Sequence, residues 1–209
     1  MMVASGQRSL AVDIFNSFTG EPPNYVATLP LNPGDLFAQQ IETTSANTVI
    51  GSLELALGNF NKNSIGTFDI SIYTSNNNNE PGTLVSGSLL SGLNAATLPD
   101  ATSIDLPRRY LGLNINLPTA GKYFVVLNNY TGSFALGWAS STAPSPPYPG
   151  LISGINVAGG PGWQSLGNSS PFLLKVSPAN VPEPSTWAMM TIAAGTLAGL
   201  GYRRRAAKA

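Results

Sequence analysis

Residues 67–75 read TFDISIYTS, and their pattern indicates the type of fold that this chain adopts. Apolar and polar residues alternate strictly, with Phe68, Ile70 and Ile72 on one side and Asp69, Ser71 and Tyr73 on the other. A period of two places successive side chains on opposite faces of a strand. The segment therefore predicts a β-strand that buries its three apolar residues and turns the other three outward.

Similar alternation recurs on both sides of this stretch. In residues 48–57, the leucines Leu53, Leu55 and Leu57 alternate with Ser52, Glu54 and Ala56. In residues 110–117, one buried face is predicted to hold Leu111, Leu113, Ile115 and Leu117. Further strands are predicted at 10–18, 35–43, 83–90, 101–106, 122–128, 132–139 and 171–177.

Turn-forming residues separate these segments. Residues 76–82, NNNNEPG, predict a type II turn with Pro81 and Gly82 at its centre. Residues 143–163 carry five prolines among glycines and predict a long, partly irregular surface excursion. About nine short strands without a helical period before Trp187 predict an all-β domain over residues 10–180, an antiparallel sandwich or jelly roll.

Composition limits the chemistry of the chain. Residues 1–185 hold all ten acids but six of the ten bases, a net charge of −4, which disfavours nucleic acid as a partner. The chain has no cysteine and no histidine. These absences exclude thiolate nucleophiles, disulfides and the usual general base, and they remove the commonest transition-metal ligand. We therefore expect a protein that is not an enzyme and needs no cofactor.

The remaining catalytic candidates are weak. A glycosidase pair would have to come from a few carboxylates: Asp69, Glu80, Asp100 and Asp105. The oxygens of residues 76–80 suit Ca²⁺, but they lack the alternating acidic spacing of calcium loops, so an Asx-rich turn is favoured. A serine nucleophile would need a desolvated lysine, namely Lys62, Lys122 or Lys175.

Aromatic residues are stronger candidates for binding. Tyr148 and Trp163 lie in the Pro-rich excursion, where exposed rings would stack on sugars, so they are predicted glycan contacts. Trp138 alternates with small neighbours and is predicted to be a core residue.

The last 29 residues have a different organisation. The segment Val181-Pro182-Glu183-Pro184-Ser185 cannot continue a helix or a sheet ladder, since proline lacks the amide donor. Trp187 to Tyr202 carries no charge, and its 16 residues would form a helix about 24 Å long. The basic residues Arg203, Arg204 and Arg205 follow at once. This order predicts a single membrane-spanning helix with a cytoplasmic C-terminus.

Motif, apolar segment and basic tip together resemble the PEP-CTERM sorting signal of Gram-negative bacteria. The resemblance covers residues 181–209. It implies export, passage through the inner membrane and processing by exosortase, an integral-membrane cysteine transpeptidase-like enzyme. It further implies delivery to the cell surface or the extracellular matrix. Because an exported protein needs a signal peptide, we interpret residues 1–9 as a remnant or a misassigned start.

A second resemblance concerns the middle of the chain. Residues 69–74, 81–84, 121–127 and 137–139 are similar to choice-of-anchor domains of the R type, over roughly residues 36–177. This resemblance implies a β-sandwich surface domain without established catalytic residues. We expect a non-enzymatic surface protein associated with the extracellular matrix. The alternative is a lectin-like module that binds extracellular polysaccharide from the same location.

Overall fold

A computed structural model of the chain describes residues 13–18, 25–31, 35–60, 65–100, 107–132, 136–141, 150–153, 162–165 and 172–179. The chain divides into two units, Met1–Ala179 and Asn180–Ala209. All described residues belong to the first unit, and we call them the β body. The helix predicted at 187–202 and the strand predicted at 101–106 lie outside the described residues.

The described residues form antiparallel strands and one short 3-10 turn, Ala95–Thr97. The strands are β1 Phe15–Asn16, β2 Tyr25–Leu31, β3 Leu36–Thr43, β4 Thr48–Leu55, β5 Leu57–Asn59, β6 Gly66–Ser75, β7 Pro81–Leu84, β8 Leu90–Asn94, β9 Arg108–Leu117, β10 Gly121–Gly132, β11 Leu136–Ser141, β12 Gly150–Ser153, β13 Gln164–Ser165 and β14 Leu174–Pro178. The all-β class is confirmed. The expectation of about nine strands was too low, since β2, β12 and β13 were not predicted. In addition, the segments predicted as single strands at 48–57 and 83–90 are each divided between two strands, β4 and β5 in the first and β7 and β8 in the second.

Three sheets share one core. The large sheet has the order β13-β12-β3-β10-β6-β7, with β8 also paired to β6. The small sheet has the order β1-β14-β4-β9, and the third sheet has the order β2-β11-β5. Buried side chains from all three sheets form a single cluster, as in a β-sandwich.

An aromatic cluster joins the three sheets at the centre of this core. Trp138 on β11 is fully buried and stacks on Phe172, with ring centroids 4.7 Å apart and planes 13° apart. Phe37 on β3 packs against Phe172, with their ring centroids 4.8 Å apart. Trp138 Nε1 donates to the carbonyl oxygen of Leu173 at 2.9 Å, so the buried indole has its partner. The prediction that Trp138 is a core residue is confirmed.

The stretch TFDISIYTS forms most of β6. Phe68, Ile70 and Ile72 are fully buried, as predicted. Asp69 and Ser71 lie on the other face but are also buried, so the expectation that they face solvent was wrong. The outer face of the large sheet is itself covered there, since Ser71 pairs with Val126, which is buried on the same face. The Asp69 carboxylate accepts a hydrogen bond from the Gly92 amide at 2.7 Å, which compensates its burial.

Strand β9 departs from its predicted face at one end. Ile115 and Leu117 are buried, but Leu111 is 67% exposed, so its predicted burial was wrong. The pairing of β9 with β4 shifts between Ile115 and Leu111, beside Gly112, whose φ is 70°. Because such an irregularity changes which face each residue occupies, Tyr110 packs on the core instead of Leu111.

The turn predicted after β6 also needs correction. The turn after β6 is closed by Asn79 with a φ of 63°, while Pro81 and Gly82 already belong to β7. Asn tolerates the left-handed conformation, so the turn needs no glycine at that point. Within the excursion 143–163, which was predicted to be partly irregular, β12 pairs with β3.

The β body ends in an interior strand. β14 lies between β1 and β4, and Ala179 directly after it donates its amide to the Val49 carbonyl at 2.8 Å. Gly51 on β4 leaves the space that this segment occupies, because a Cβ there would lie 2.5 Å from the Ala179 Cα. The chain is therefore held by the body up to Ala179.

Gly51→Ala tests this close approach. We expect the substitution to lower the free energy of unfolding by about 1–3 kcal/mol, the usual cost of overpacking against backbone. Urea unfolding followed by tryptophan fluorescence measures it. Ser52→Ala, at the neighbouring half-buried position, should change stability by less than about 0.5 kcal/mol. Equal stabilities of Gly51→Ala and the unchanged protein would contradict the contact.

Tyr110 makes the stability of the folded protein depend on pH in the alkaline range. Burial raises the pKa of Tyr110 from 10.0 to about 12, with Arg108 acting in the opposite direction. The folded state therefore holds the phenol proton more tightly than the unfolded chain. This contribution is complete below pH 10.0 and is lost as the pH rises to about 12. Tyr110→Phe should make the unfolding free energy fall less steeply with pH across this range. Urea unfolding at a series of pH values measures this, and the same pH dependence in both proteins would contradict the prediction.

Candidate functional site

The carboxylates considered as a catalytic pair occupy different places. Asp69 lies on β6 and bonds to the Gly92 amide, whereas Glu80 lies in the turn after β6. Asp100 forms an isolated bridge with Asn59, and Asp105 lies outside the described residues. Within the described ranges, no group of three or more acidic residues is placed to hold a metal ion.

The turn at residues 76–80 is built around one side chain. Asn76 Oδ1 accepts from the amides of Asn78 and Glu80, each at 2.9 Å. The side-chain nitrogen of Asn76, Nδ2, also donates to Glu80 Oε2 at 3.3 Å. This is the geometry of an Asx turn, in which Asn76 Oδ1, one of the oxygens considered for calcium, bonds to the backbone instead.

The two described lysines have polar partners. Lys175 forms an ion pair with Asp13 at 3.3 Å. Lys122 is exposed, and its Nζ donates to Asn79 Oδ1 at 3.1 Å. Neither lies in the desolvated environment that would turn a lysine into a base for serine. Lys62 lies outside the described residues.

Trp163 lies on the face of the large sheet that points away from the main core. There it packs with Tyr73 on a second buried cluster formed by Ala38, Phe124 and Val126. We call these five residues the aromatic face. Trp163 and Tyr73 are half-buried, so each ring contacts the sheet and still presents surface to solvent. A planar ligand could therefore stack on the rings of the aromatic face.

Polar side chains border the aromatic face. The Tyr73 hydroxyl lies 3.4 Å from Asn128 Nδ2 on the adjacent β10. Gln40 pairs with Phe124 across β3 and β10, and its Nε2 donates to Asn79 Oδ1 at 2.7 Å. Because Asn79 also accepts from Lys122, it links the turn after β6 to the sheet. One amide, that of Asn128, thus lies beside the Tyr73 ring, whereas the Gln40 amide is buried and bonded to Asn79.

The two predicted glycan contacts fare differently. Trp163 is on the aromatic face, while Tyr148 lies outside the described residues. Tyr73 joins Trp163 there, yet it was predicted only as an outward residue of its strand. No sequence pattern relates Tyr73 to Trp163, because the large sheet brings together residues ninety positions apart.

The C-terminal segment lies outside the described residues, but the comparisons with known proteins reach it. The family described as the PEP-CTERM protein-sorting motif matches residues 180–205. The resemblance to that sorting signal is therefore confirmed. Such a motif implies an exported surface protein that passes through the membrane and is processed by exosortase.

The β body has no counterpart in the other comparisons. Neither the curated proteins nor the solved structures include a match to this chain. The resemblance of residues 36–177 to choice-of-anchor domains is not confirmed and stays a prediction. Across the part of the chain that the structure describes, no helix has the length and apolar character needed to cross a bilayer.

Proposed function

We propose that this chain is a non-enzymatic surface protein whose C-terminal segment is a transient membrane anchor. The observation that carries the proposal is the sorting motif at residues 180–205, which begins directly after the last residue held by the β body. The body is the cargo, and the tail directs it to the cell surface or the extracellular matrix.

The physical order of the tail supports this role. The apolar segment 187–202 would hold the chain in the inner membrane as a single span. Arg203, Arg204 and Arg205 would keep the C-terminus on the cytoplasmic side, since moving them through hydrocarbon is costly. Pro182 and Pro184 would keep the preceding segment extended and accessible to exosortase.

The body supports a non-catalytic role. The carboxylates are distributed over separate strands and turns, and the described lysines bond to neutral or acidic partners. The chain has no histidine or cysteine to act as general base or nucleophile. A rigid β domain with few charges suits a structural part of a surface layer or matrix.

Substitutions in the tail test the anchoring mechanism. Replacing Arg203, Arg204 and Arg205 by alanine should weaken retention of the chain in the membrane. Each basic residue near an anionic leaflet contributes ~1 kcal/mol, so the triple variant loses ~3 kcal/mol. Glu183→Ala should block processing, and uncut chain should accumulate. Immunoblots of membrane and secreted fractions from the native host measure both effects.

A matched acidic control lies in the body. Glu80→Ala removes a carboxylate from the turn after β6 and should leave processing unchanged. A Glu183→Ala chain that is cut and released like the unchanged protein would refute the proposed role of the motif. Mass spectrometry of the mature C-terminus then locates the bond that is broken.

A second candidate function is binding of extracellular polysaccharide, and the aromatic face favours it. Trp163 and Tyr73 present partly exposed rings on one face of the large sheet, and Asn128 supplies an amide group beside Tyr73. Aromatic planes with adjacent hydrogen-bonding groups match the alternating apolar and hydroxyl surfaces of a sugar ring. The surface location implied by the tail would bring this face to such a ligand.

Tryptophan fluorescence tests this second function. Titration with polysaccharide from the producing organism should change the emission if Trp163 contacts sugar. Trp163→Ala should weaken binding about tenfold or more, as expected for an anchor residue worth at least ~1.4 kcal/mol. Leu111→Ala removes an exposed side chain from the small sheet and should bind normally. Equal affinities of the Trp163 and Leu111 variants would exclude the aromatic face.

A further inference from the structure

Few residues separate Ala179 from the Pro-Glu-Pro segment along the chain. Ala179 is fixed by its bond to Val49 and by its contact with Gly51. Pro182 follows three residues later, and three residues span at most about 11 Å. An enzyme that binds Pro182 and Glu183 therefore approaches the end of the body to within roughly 11 Å.

That end of the body carries a concave surface. A cleft of about 370 Å³ is lined by Asp13, Ile14, Glu42, Thr43, Thr44, Ser45, Thr48 and Pro178. We call it the exit cleft, because Pro178 is the last residue of β14 before the chain leaves the body. Its walls come from the large sheet through β3 and from the small sheet through β4 and β14.

Hydrogen bonds hold the rim of the exit cleft in place. The hydroxyls of Thr43 and Thr48 both donate to the Ser45 carbonyl, at 3.2 Å and 2.8 Å. On the opposite side, Asp13 Oδ1 accepts from the Ser177 hydroxyl at 2.8 Å, and its other oxygen pairs with Lys175. A rim ordered in this way loses little conformational entropy when a partner binds.

We propose that the exit cleft is a docking surface for the enzyme that processes the tail. This inference rests on the proposed processing by exosortase and adds a second contact outside the motif. The occupant is a loop of that enzyme with hydrogen-bond donors or a cationic side chain, since carboxylates of Asp13 and Glu42 and a ring of hydroxyls and carbonyls line the cleft.

The short length of the intervening chain favours this occupant. Binding of the motif places the enzyme within about 11 Å of Ala179, which makes contact with the exit cleft an intramolecular event. A weak contact formed under such tethering still increases the lifetime of the complex. The body would then contribute to substrate selection, although it takes no part in the cleavage.

The test uses the full chain in host cells that contain the processing enzyme. Thr44→Arg places a bulky cation at an exposed rim position and should slow processing at least about tenfold in a pulse–chase immunoblot. Ala96→Arg makes the same change in charge on the exposed 3-10 turn. This turn follows Asn94, which pairs with Thr67 at the start of β6, and the variant should be processed normally. Urea unfolding of both variants verifies that neither substitution unfolds the body.

A spacer separates docking from other effects. Ten Gly and Ser residues inserted between Ala179 and Asn180 lower the effective concentration of the cleft near the motif. In this background Thr44→Arg should have less than about a twofold effect. An undiminished effect would assign the cleft another occupant, such as a matrix glycan, and overturn the proposal.

The remaining outcomes are equally decisive. Processing of Thr44→Arg at the rate of the unchanged chain, or equal slowing by Ala96→Arg, overturns docking at the exit cleft while leaving processing of the motif intact. If the unchanged chain is never cut, the proposed processing itself is refuted. That result differs from normal processing of the Thr44→Arg chain, which refutes only the docking.

Discussion

The placement of residues 172–179 in the interior of the fold is the constraint on which the rest of the β body depends. Phe172 and Leu174 are fully buried, and the Phe172 amide donates to Gln39 Oε1 on β3 at 2.7 Å. Ser17 Oγ accepts from the Leu174 amide at 2.7 Å. The last segment of the body thus joins its first strand, its large sheet and the aromatic cluster around Trp138, so the core is incomplete without it.

This constraint couples folding to export. A body whose interior strand is its last one cannot close its core until that strand has left the translocation pathway. The sorting motif begins at residue 180, directly after Ala179. The last strand needed to close the core and the sorting motif are therefore adjacent along the chain.

The outer surfaces of the two main sheets differ in chemistry. On the small sheet, Glu54 is paired with Arg109 at 2.6 Å and Lys175 with Asp13, which places alternating charges across adjacent strands. On the large sheet, the aromatic face has half-buried rings bordered by amides. Partly exposed ion pairs contribute little to stability, whereas rings on a rigid sheet provide contact area for a ligand. The large sheet is therefore the better candidate for a binding surface.

The sequence by itself determined the β class, the buried face of β6 and the sorting motif, because each depends on residues close together in the chain. Strict alternation identifies Phe68, Ile70 and Ile72 without knowledge of their partners. Tertiary structure decided the rest. The exposure of Leu111 follows from a register shift against β4, and Asp69 is buried where the Gly92 amide of β8 bonds to its carboxylate. Likewise, Gly51 meets Ala179 and Tyr73 joins Trp163 only through strand pairing, which brings distant residues together and leaves no local pattern.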